Sequence, residues 1–148
     1  MHKKHLFCGI DCVFPDSSDV WDFFNFSNIT FGNFYFSIVD VCWFSGDIFP
    51  PKLSPAYFRE LARQTSYVGF LVMHLYPEGV PAEEINDYAD FLRSNCEMIV
   101  LLCDGCYVEI YCKNHIWLQT LLRDAKKVPG AIVEEKYEDT DPRSIMYV

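Results

Sequence analysis

Two cysteines separated by two residues, Cys103 and Cys106, form the most compact set of potentially reactive side chains in the sequence. A Cys-x-x-Cys pair can act as a redox couple or supply half of a zinc site. In redox proteins the pair opens a helix, whose N-terminus lowers the pKa of the attacking thiol. Here Asp104-Gly105 lies between two strand-like runs, so a hairpin turn explains the spacing without any chemistry. Thiol redox or metal binding by Cys103 and Cys106 therefore stays an alternative hypothesis.

A wider set of residues has the types of a zinc ligand set but the wrong spacing. If residues 106–112 form a strand, its two terminal cysteines lie about 20 Å apart at roughly 3.3 Å per residue. Zinc ligands must converge to about 2.3 Å from one metal ion. The set consists of Cys103, Cys106, Cys112 and His115. These four side chains cannot converge on one metal ion, and only the fold could bring Cys8 and Cys12 close to them. The sequence thus predicts no metal and no cofactor, and its seven cysteines, an odd number, predict free thiols.

Three acidic residues are the first candidate for a binding surface. On a helix predicted over residues 82–95, Glu83, Asp87 and Asp90 lie four and three positions apart and share one face. Like charges repel at these spacings, so the face is either simply solvated or suited to a basic partner.

The second candidate surface is on a β-hairpin predicted over residues 97–112. Its return strand carries Tyr107, Glu109 and Tyr111 on one face, an amphipathic set that suits a half-exposed sheet or a recognition surface. A two-residue turn at 104–105 would pair Cys103 with Cys106. That register places the tyrosine face beside Met98, Val100 and Leu102.

No sequence motif of a known catalytic site is present. The sequence lacks a nucleophile elbow, a phosphate-binding loop, a zinc-protease motif and a dinucleotide fingerprint. His74 lies in an apolar run and His115 in the first turn of a predicted helix, outside any such pattern. The sequence therefore favours a non-enzymatic role.

The elements that must position these residues alternate between strands and helices. Apolar and alternating runs predict strands over 5–14, 29–44, 67–76, 97–103, 106–112 and 131–138, with a further one over 143–148. Cap residues and helical spacing predict helices over 18–26, 54–65, 82–95 and 114–127. The fold expected is α+β: a mixed, mostly antiparallel sheet with helices packed on it, forming a single domain over 1–148.

Composition and charge narrow the classes of partner. The chain has 148 residues, of which 51% are hydrophobic and 22% charged, so a folded domain is expected. The net charge of −9 and the absence of a basic stripe argue against nucleic acid and anionic membranes. No apolar run reaches the length of a membrane span, and the first residues do not form a signal peptide. A cytoplasmic location follows as the expectation.

The segment 88–121 resembles a small family of unknown function from Gram-positive bacteria. The pattern is a helix ending in Ser-x-Cys-Glu, an apolar strand ending in Asp, the run Tyr-Val-x-Ile-Tyr-x-Lys, and an amphipathic helix. The matching residues are Ser94, Cys96, Glu97, Asp104, Tyr107, Val108, Ile110, Tyr111 and Lys113. The resemblance implies a bacterial, single-domain, cytoplasmic protein, and it brings no activity, cofactor or catalytic residue.

The function predicted is a non-enzymatic domain that binds another protein, with a basic partner suiting its charge. Immunity and regulatory proteins offer the analogy. Two alternatives remain: the thiol hypothesis on Cys103 and Cys106, and a small-ligand binder with an aromatic pocket, for which 25 aromatic residues supply the material.

Overall fold

The computed structural model describes residues 6–43, 50–64 and 68–138, which form one sheet and four helices. The strands are β1 (Phe7–Val13), β2 (Phe34–Trp43), β3 (Lys52–Leu53), β4 (Val68–Pro77), β5 (Met98–Cys103), β6 (Tyr107–Cys112) and β7 (Ile132–Tyr137). The helices are α1 (Ser17–Phe23), α2 (Pro55–Gln64), α3 (Tyr88–Arg93) and α4 (His115–Lys126). The strand order is β3-β2-β4-β5-β6-β1-β7, and every pairing among the described strands is antiparallel. The α+β prediction is confirmed.

Side-chain caps begin the two longest helices where the sequence predicts. The Ser54 hydroxyl accepts a hydrogen bond from the Tyr57 amide at 3.1 Å, and Pro55 takes the first position of α2. The Asn114 side chain accepts from the amides of Ile116 and Trp117 at 3.0 and 3.1 Å, which starts α4. These bonds satisfy amide groups that a helix leaves without an internal partner.

Three of the helices cover one face of the sheet. Val20 of α1, Phe58 of α2 and Leu118 of α4 are fully buried in the same core as Ile10 of β1 and Val100 of β5. Helix α4 also begins directly after the β5–β6 hairpin, so it packs back across β1 and β7. We call this the helical face.

The opposite face of the sheet, which we call the far face, has a smaller core. Phe91 of α3 and Ile85 from the preceding loop pack there against Tyr76, Ile99 and Tyr111. The Tyr76 hydroxyl accepts from the Glu83 amide at 2.9 Å and donates to the Glu83 carbonyl at 3.1 Å, which holds the loop against the sheet.

The helix predicted over 82–95 is wrong in its extent. Helix α3 spans only Tyr88–Arg93, because the Asp87 side chain accepts from the Asp90 amide at 2.8 Å and caps the helix there. The preceding residues instead follow the loop fixed by Tyr76. Glu83 therefore does not share a helix with Asp87 and Asp90.

The predicted register of the hairpin is also wrong, by one residue. Asp104 and Gly105 both have positive φ, 54° and 75°, as a type I′ turn requires. Cys106 is then inserted before the ladder resumes, so Cys103 pairs with Tyr107 instead of Cys106. The insertion is stabilised because the Cys106 carbonyl accepts from the Phe14 amide at 3.0 Å. Because side chains alternate along a strand, a shift of one residue moves each side chain of β6 to the face of the sheet opposite the predicted one.

The strand predicted over 29–44 is wrong at its start, because β2 begins only at Phe34. Phe26, Ser27 and Asn28 form a short turn with φ between 52° and 56°, the left-handed region that L-residues rarely adopt. The predicted strand over 143–148 lies outside the described residues. Within the described residues, no helix is long and apolar enough to cross a membrane.

Candidate functional site

The three acidic candidates lie in the α3 region, where each one has an internal role. A Glu83 carboxylate oxygen accepts from the Asn95 amide at 2.7 Å, and Asp87 is the cap of α3. Asp90 accepts from the Asn86 amide at 3.1 Å and forms an ion pair with Arg93 at 2.7 Å. The structure thus brings them near one short helix without the common helix face that the spacing predicts.

Tyr107, Glu109 and Tyr111 do share the far face, but two of them are not exposed. Glu109 is 3% exposed and Tyr111 is 2% exposed, and only Tyr107 is half-buried. Because of the register shift, their neighbours on β5 are Cys103, Leu101 and Ile99, and not the Met98, Val100 and Leu102 of the helical face.

A buried lysine explains how Glu109 is tolerated inside the protein. Lys136 Nζ lies 2.7 Å from a Glu109 carboxylate oxygen and 3.4 Å from Asp11, and the Tyr111 hydroxyl donates to Glu109 at 2.8 Å. Lys136 Nζ also lies 5.0 Å from the centre of the Tyr111 ring. Paired and hydrogen-bonded in this way, a buried carboxylate can stay ionised. The group is therefore a structural link between β6, β1 and β7.

One continuous row of largely apolar residues crosses the far face at its hairpin end. Residues directly opposite each other in the strand ladders share a face, and the pairings connect six strands in one line. We call this line the apolar row; its members are Cys42, Phe70, Cys103, Tyr107, Val13 and Ile132. None of the six is buried, and Val13 and Ile132 are 40% and 63% exposed.

A second row, two residues further along each strand, carries acidic residues at its ends. We call it the acidic row; its members are Asp40, Val72, Leu101, Glu109, Asp11 and Glu134. Its central members Val72, Leu101 and Glu109 are buried, whereas Asp40 and Glu134 are exposed. The accessible part of the far face thus combines apolar side chains with carboxylates.

The environment of the Cys103 thiol at the hairpin does not activate it. Burial and the neighbouring Asp104 carboxylate raise the pKa of Cys103, whereas redox-active thiols need a lowered pKa. Burial also raises the pKa of Cys12, Cys96 and Cys112, in each case to about 12. Among the described residues, no group of three or more potential ligands could hold a metal ion.

The imidazole of His74 also lies on the far face, where it is opposite Ile99 of β5. It is 3% exposed, and its Nδ1 lies 3.4 Å from the Tyr76 hydroxyl. Burial lowers the pKa of His74 to about 4, because the charged imidazolium would lose its hydration. The group is thus neutral at pH 7 and acts as a packed side chain.

Comparison with known proteins assigns the family. A family model described as protein of unknown function, DUF2691, matches residues 47–146. The chain belongs to this family. The matched region includes the 88–121 segment, so the resemblance to an uncharacterised family is confirmed. Within the apolar row, Val13 and Cys42 precede the region that the family model covers.

A curated relative is uncharacterised as well. The uncharacterized protein YncE of Bacillus subtilis (strain 168) is 29% identical over 90 residues, which are 61% of this chain. The match spans 59% of the length of that relative. No solved structure matches significantly.

Sequence reasoning missed the residues of the apolar row on β1 and β7. Val13 and Ile132 occupy strands that are correctly predicted, but they are 119 positions apart and only the antiparallel pairing of β1 with β7 joins them. The alternation along residues 131–138 could have identified Ile132 as exposed. It could not have identified its neighbours.

Proposed function

We propose that this chain is a protein-binding domain whose docking surface is the apolar row. The observation that carries the proposal is the continuity of this row across six strands of the sheet. Exposed apolar residues scattered singly are normal, whereas a contiguous apolar patch marks an interaction surface. Val13 and Ile132 are also directly paired, so their exposed areas are contiguous.

Charge complementarity indicates the chemistry of the partner. The exposed Asp40 and Glu134 of the acidic row flank the apolar row at opposite sides of the sheet, and the whole chain carries a net charge of −9. The Glu109 charge is already balanced by Lys136. A protein segment with apolar residues in its centre and Lys or Arg at its borders would fit, its charges assisting association and its apolar groups slowing dissociation.

The other candidate surfaces are less favourable for this role. Glu83, Asp87 and Asp90 are engaged in caps, loop contacts and an ion pair, so binding through them would compete with the fold. Glu109 and Tyr111 are buried and link strands. Of the sequence-predicted binding residues, Tyr107 lies within the apolar row.

Site-specific photo-crosslinking in the source bacterium tests the proposal. A photo-reactive residue replacing Ile132 should give one discrete adduct with a protein, which mass spectrometry identifies. The matched control replaces Ile116, which is 78% exposed on α4 and lies on the other side of the molecule. Ile132 and Ile116 are the same residue type and both are exposed, so the comparison tests the face of the molecule on which each lies.

The identified protein must then bind in purified form and respond to the charges of the acidic row. Replacing Asp40 and Glu134 by Lys should slow association, most clearly below about 0.15 M salt, where the Debye length exceeds about 8 Å. Equal adducts from positions 132 and 116, or association rates unaffected by the double replacement, would refute the proposed docking surface.

A further inference from the structure

A cleft between β2 and α2 combines aromatic walls with a guanidinium group. Its volume is about 370 Å³, within the range of small-molecule sites. Phe31 and Phe34 line it together with Pro55 and Ala56 of α2, and Arg59 and Glu78 lie at its polar side. All of these residues belong to the described part of the chain.

Arg59 is fixed in place by neutral groups. Its Nε donates to the Asn25 carbonyl at 3.0 Å and its Nη2 donates to the Ile29 carbonyl, while the guanidinium lies 5.5 Å from the centre of the Phe31 ring. These contacts orient the planar group but leave other N–H donors of the guanidinium unused, because it has five.

The charge of Arg59 has no counter-charge in the part of the chain that the structure describes. Among residues 6–43, 50–64 and 68–138, no carboxylate forms an ion pair with it. Glu78 at the cleft is paired with Lys52 at 3.3 Å. Burial, and to a smaller extent the charge of Arg63, lower the pKa of Arg59. A half-buried cation without a counter-charge is unusual in a chain with 21 acidic and 12 basic residues.

The backbone beside the cleft is strained. The two carbonyls that Arg59 binds flank the left-handed turn of Phe26, Ser27 and Asn28. Left-handed conformations of such residues are unfavourable and persist only when surrounding contacts impose them. Arg59 is one such contact, so the turn and the guanidinium are positioned together.

We propose that this cleft binds a small organic carboxylate with an aromatic or other flat apolar body. The carboxylate would accept hydrogen bonds from the Arg59 guanidinium, which forms strong two-point contacts with carboxylates. The apolar body would lie against the half-buried Phe34 ring and the exposed Ala56, which both line the cleft. The small-ligand hypothesis raised by the aromatic content of the sequence thus has a defined location.

The cleft is independent of the docking surface. Phe34 at the cleft and Cys42 in the apolar row are eight residues apart on β2, which corresponds to roughly 26 Å along a strand. Loss of one function should therefore leave the other intact.

Titration of the ¹⁵N-labelled full chain with phenylacetate, followed by NMR, tests the assignment. Saturable shifts are expected at the amides of Gly32, Asn33 and Ala56. Phenylacetamide, which has the same shape without the charge, should bind about tenfold more weakly or worse, because it loses the charge-assisted hydrogen bonds.

Two variants locate the binding. Ala56→Glu places a competing carboxylate at the cleft, in the first turn of α2 where an acidic residue favours the helix, so the fold should persist. It should weaken phenylacetate binding at least about tenfold. Arg63→Gln changes the net charge by the same amount as Ala56→Glu, but it lies outside the cleft, one turn beyond Arg59 on α2, and should leave binding unchanged.

Three results would overturn the proposal. Shifts that do not saturate, or that phenylacetamide reproduces with equal affinity, would mean that Arg59 serves only to hold the turn. Inorganic phosphate binding at the same amides as tightly as phenylacetate would mean a general anion site in which the aromatic walls have no part.

Discussion

The buried imidazole of His74 contributes to the pH dependence of the stability of this protein. The pKa of His74 is about 4 in the folded chain, against an ordinary value of 6.5. Between these values the unfolded state binds more protons than the folded state, so acidification favours unfolding. The contribution of neutral His74 is fully present above pH 6.5 and is lost as the pH falls towards 4.

Urea unfolding at pH values from about 7 down to about 4.5 measures this effect. The free energy of unfolding should fall by up to about 1.4 kcal/mol per pH unit from His74 alone. His74→Leu should remove that part of the slope, and His115→Gln, at an exposed histidine, should not. An equal slope in the wild type and His74→Leu would contradict the assignment.

The turn residue Gly105 tests the hairpin. Its φ of 75° disfavours any residue with a β-branched side chain, so Gly105→Val should lower the free energy of unfolding by roughly 1–2 kcal/mol. Asp104 has a φ of 54°, and Asp104→Gly relieves the same strain, so its stability should be unchanged or higher. A thermal melt of each variant checks both, and an unchanged melting temperature for Gly105→Val would count against the turn.

At the scale of elements, the contact between Lys136 and Glu109 decides how the edge strand β7 is attached. Both side chains are buried, and breaking such a pair leaves one uncompensated charge. Lys136→Met should therefore cost about 3 kcal/mol or more, and adding Glu109→Gln should recover much of the loss. Denaturant unfolding of the two single variants and the double variant measures the coupling.

An exposed ion pair provides the comparison. Lys52 and Glu78 lie 3.3 Å apart with side chains that are 59% and 46% exposed. Solvated pairs contribute at most about 1 kcal/mol, so Lys52→Met should have only a small effect. If both lysine variants lose equal stability, then the burial of Lys136 has no energetic consequence and the attachment of β7 rests on other contacts.

At the scale of the whole molecule, the seven cysteines differ in solvent accessibility according to where the sheet and its helices place them. Cys8, Cys12, Cys96 and Cys112 are buried, Cys103 and Cys106 are intermediate, and Cys42 is exposed. Alkylation of the native protein, counted by mass spectrometry, should modify Cys42 first and Cys103 and Cys106 more slowly, while denatured protein takes up seven groups. Rapid native labelling of Cys12 or Cys112 would contradict the described core.

Mass spectrometry of the native protein also tests the alternative hypothesis, thiol redox or metal binding by Cys103 and Cys106. We expect reduced, metal-free protein, because burial and Asp104 raise the pKa of Cys103. A stoichiometric disulfide between Cys103 and Cys106 under mild reducing conditions, or zinc retained by the native protein, would favour that alternative over the binding domain.

The sequence by itself determined most of the elements. Ser54 and Asn114 mark helix starts because their side chains satisfy amides within three residues, a local interaction that needs no tertiary contact. The Asp104-Gly105 turn is local for the same reason, since only a few residue types tolerate a positive φ. The apolar runs of β4 and β5 are long enough to predict central strands.

Tertiary structure decided the start of α3, the register of the hairpin and the composition of both candidate sites. Residues before Asp87 satisfy helical spacing, but Tyr76 binds the Glu83 backbone and holds that loop on the sheet. Cys106 is inserted because the Phe14 amide, directly after β1, donates to its carbonyl. The apolar row and the Arg59 cleft likewise join residues far apart in the chain. No local pattern encodes such pairings, because they depend on which strands become neighbours when the whole core is buried.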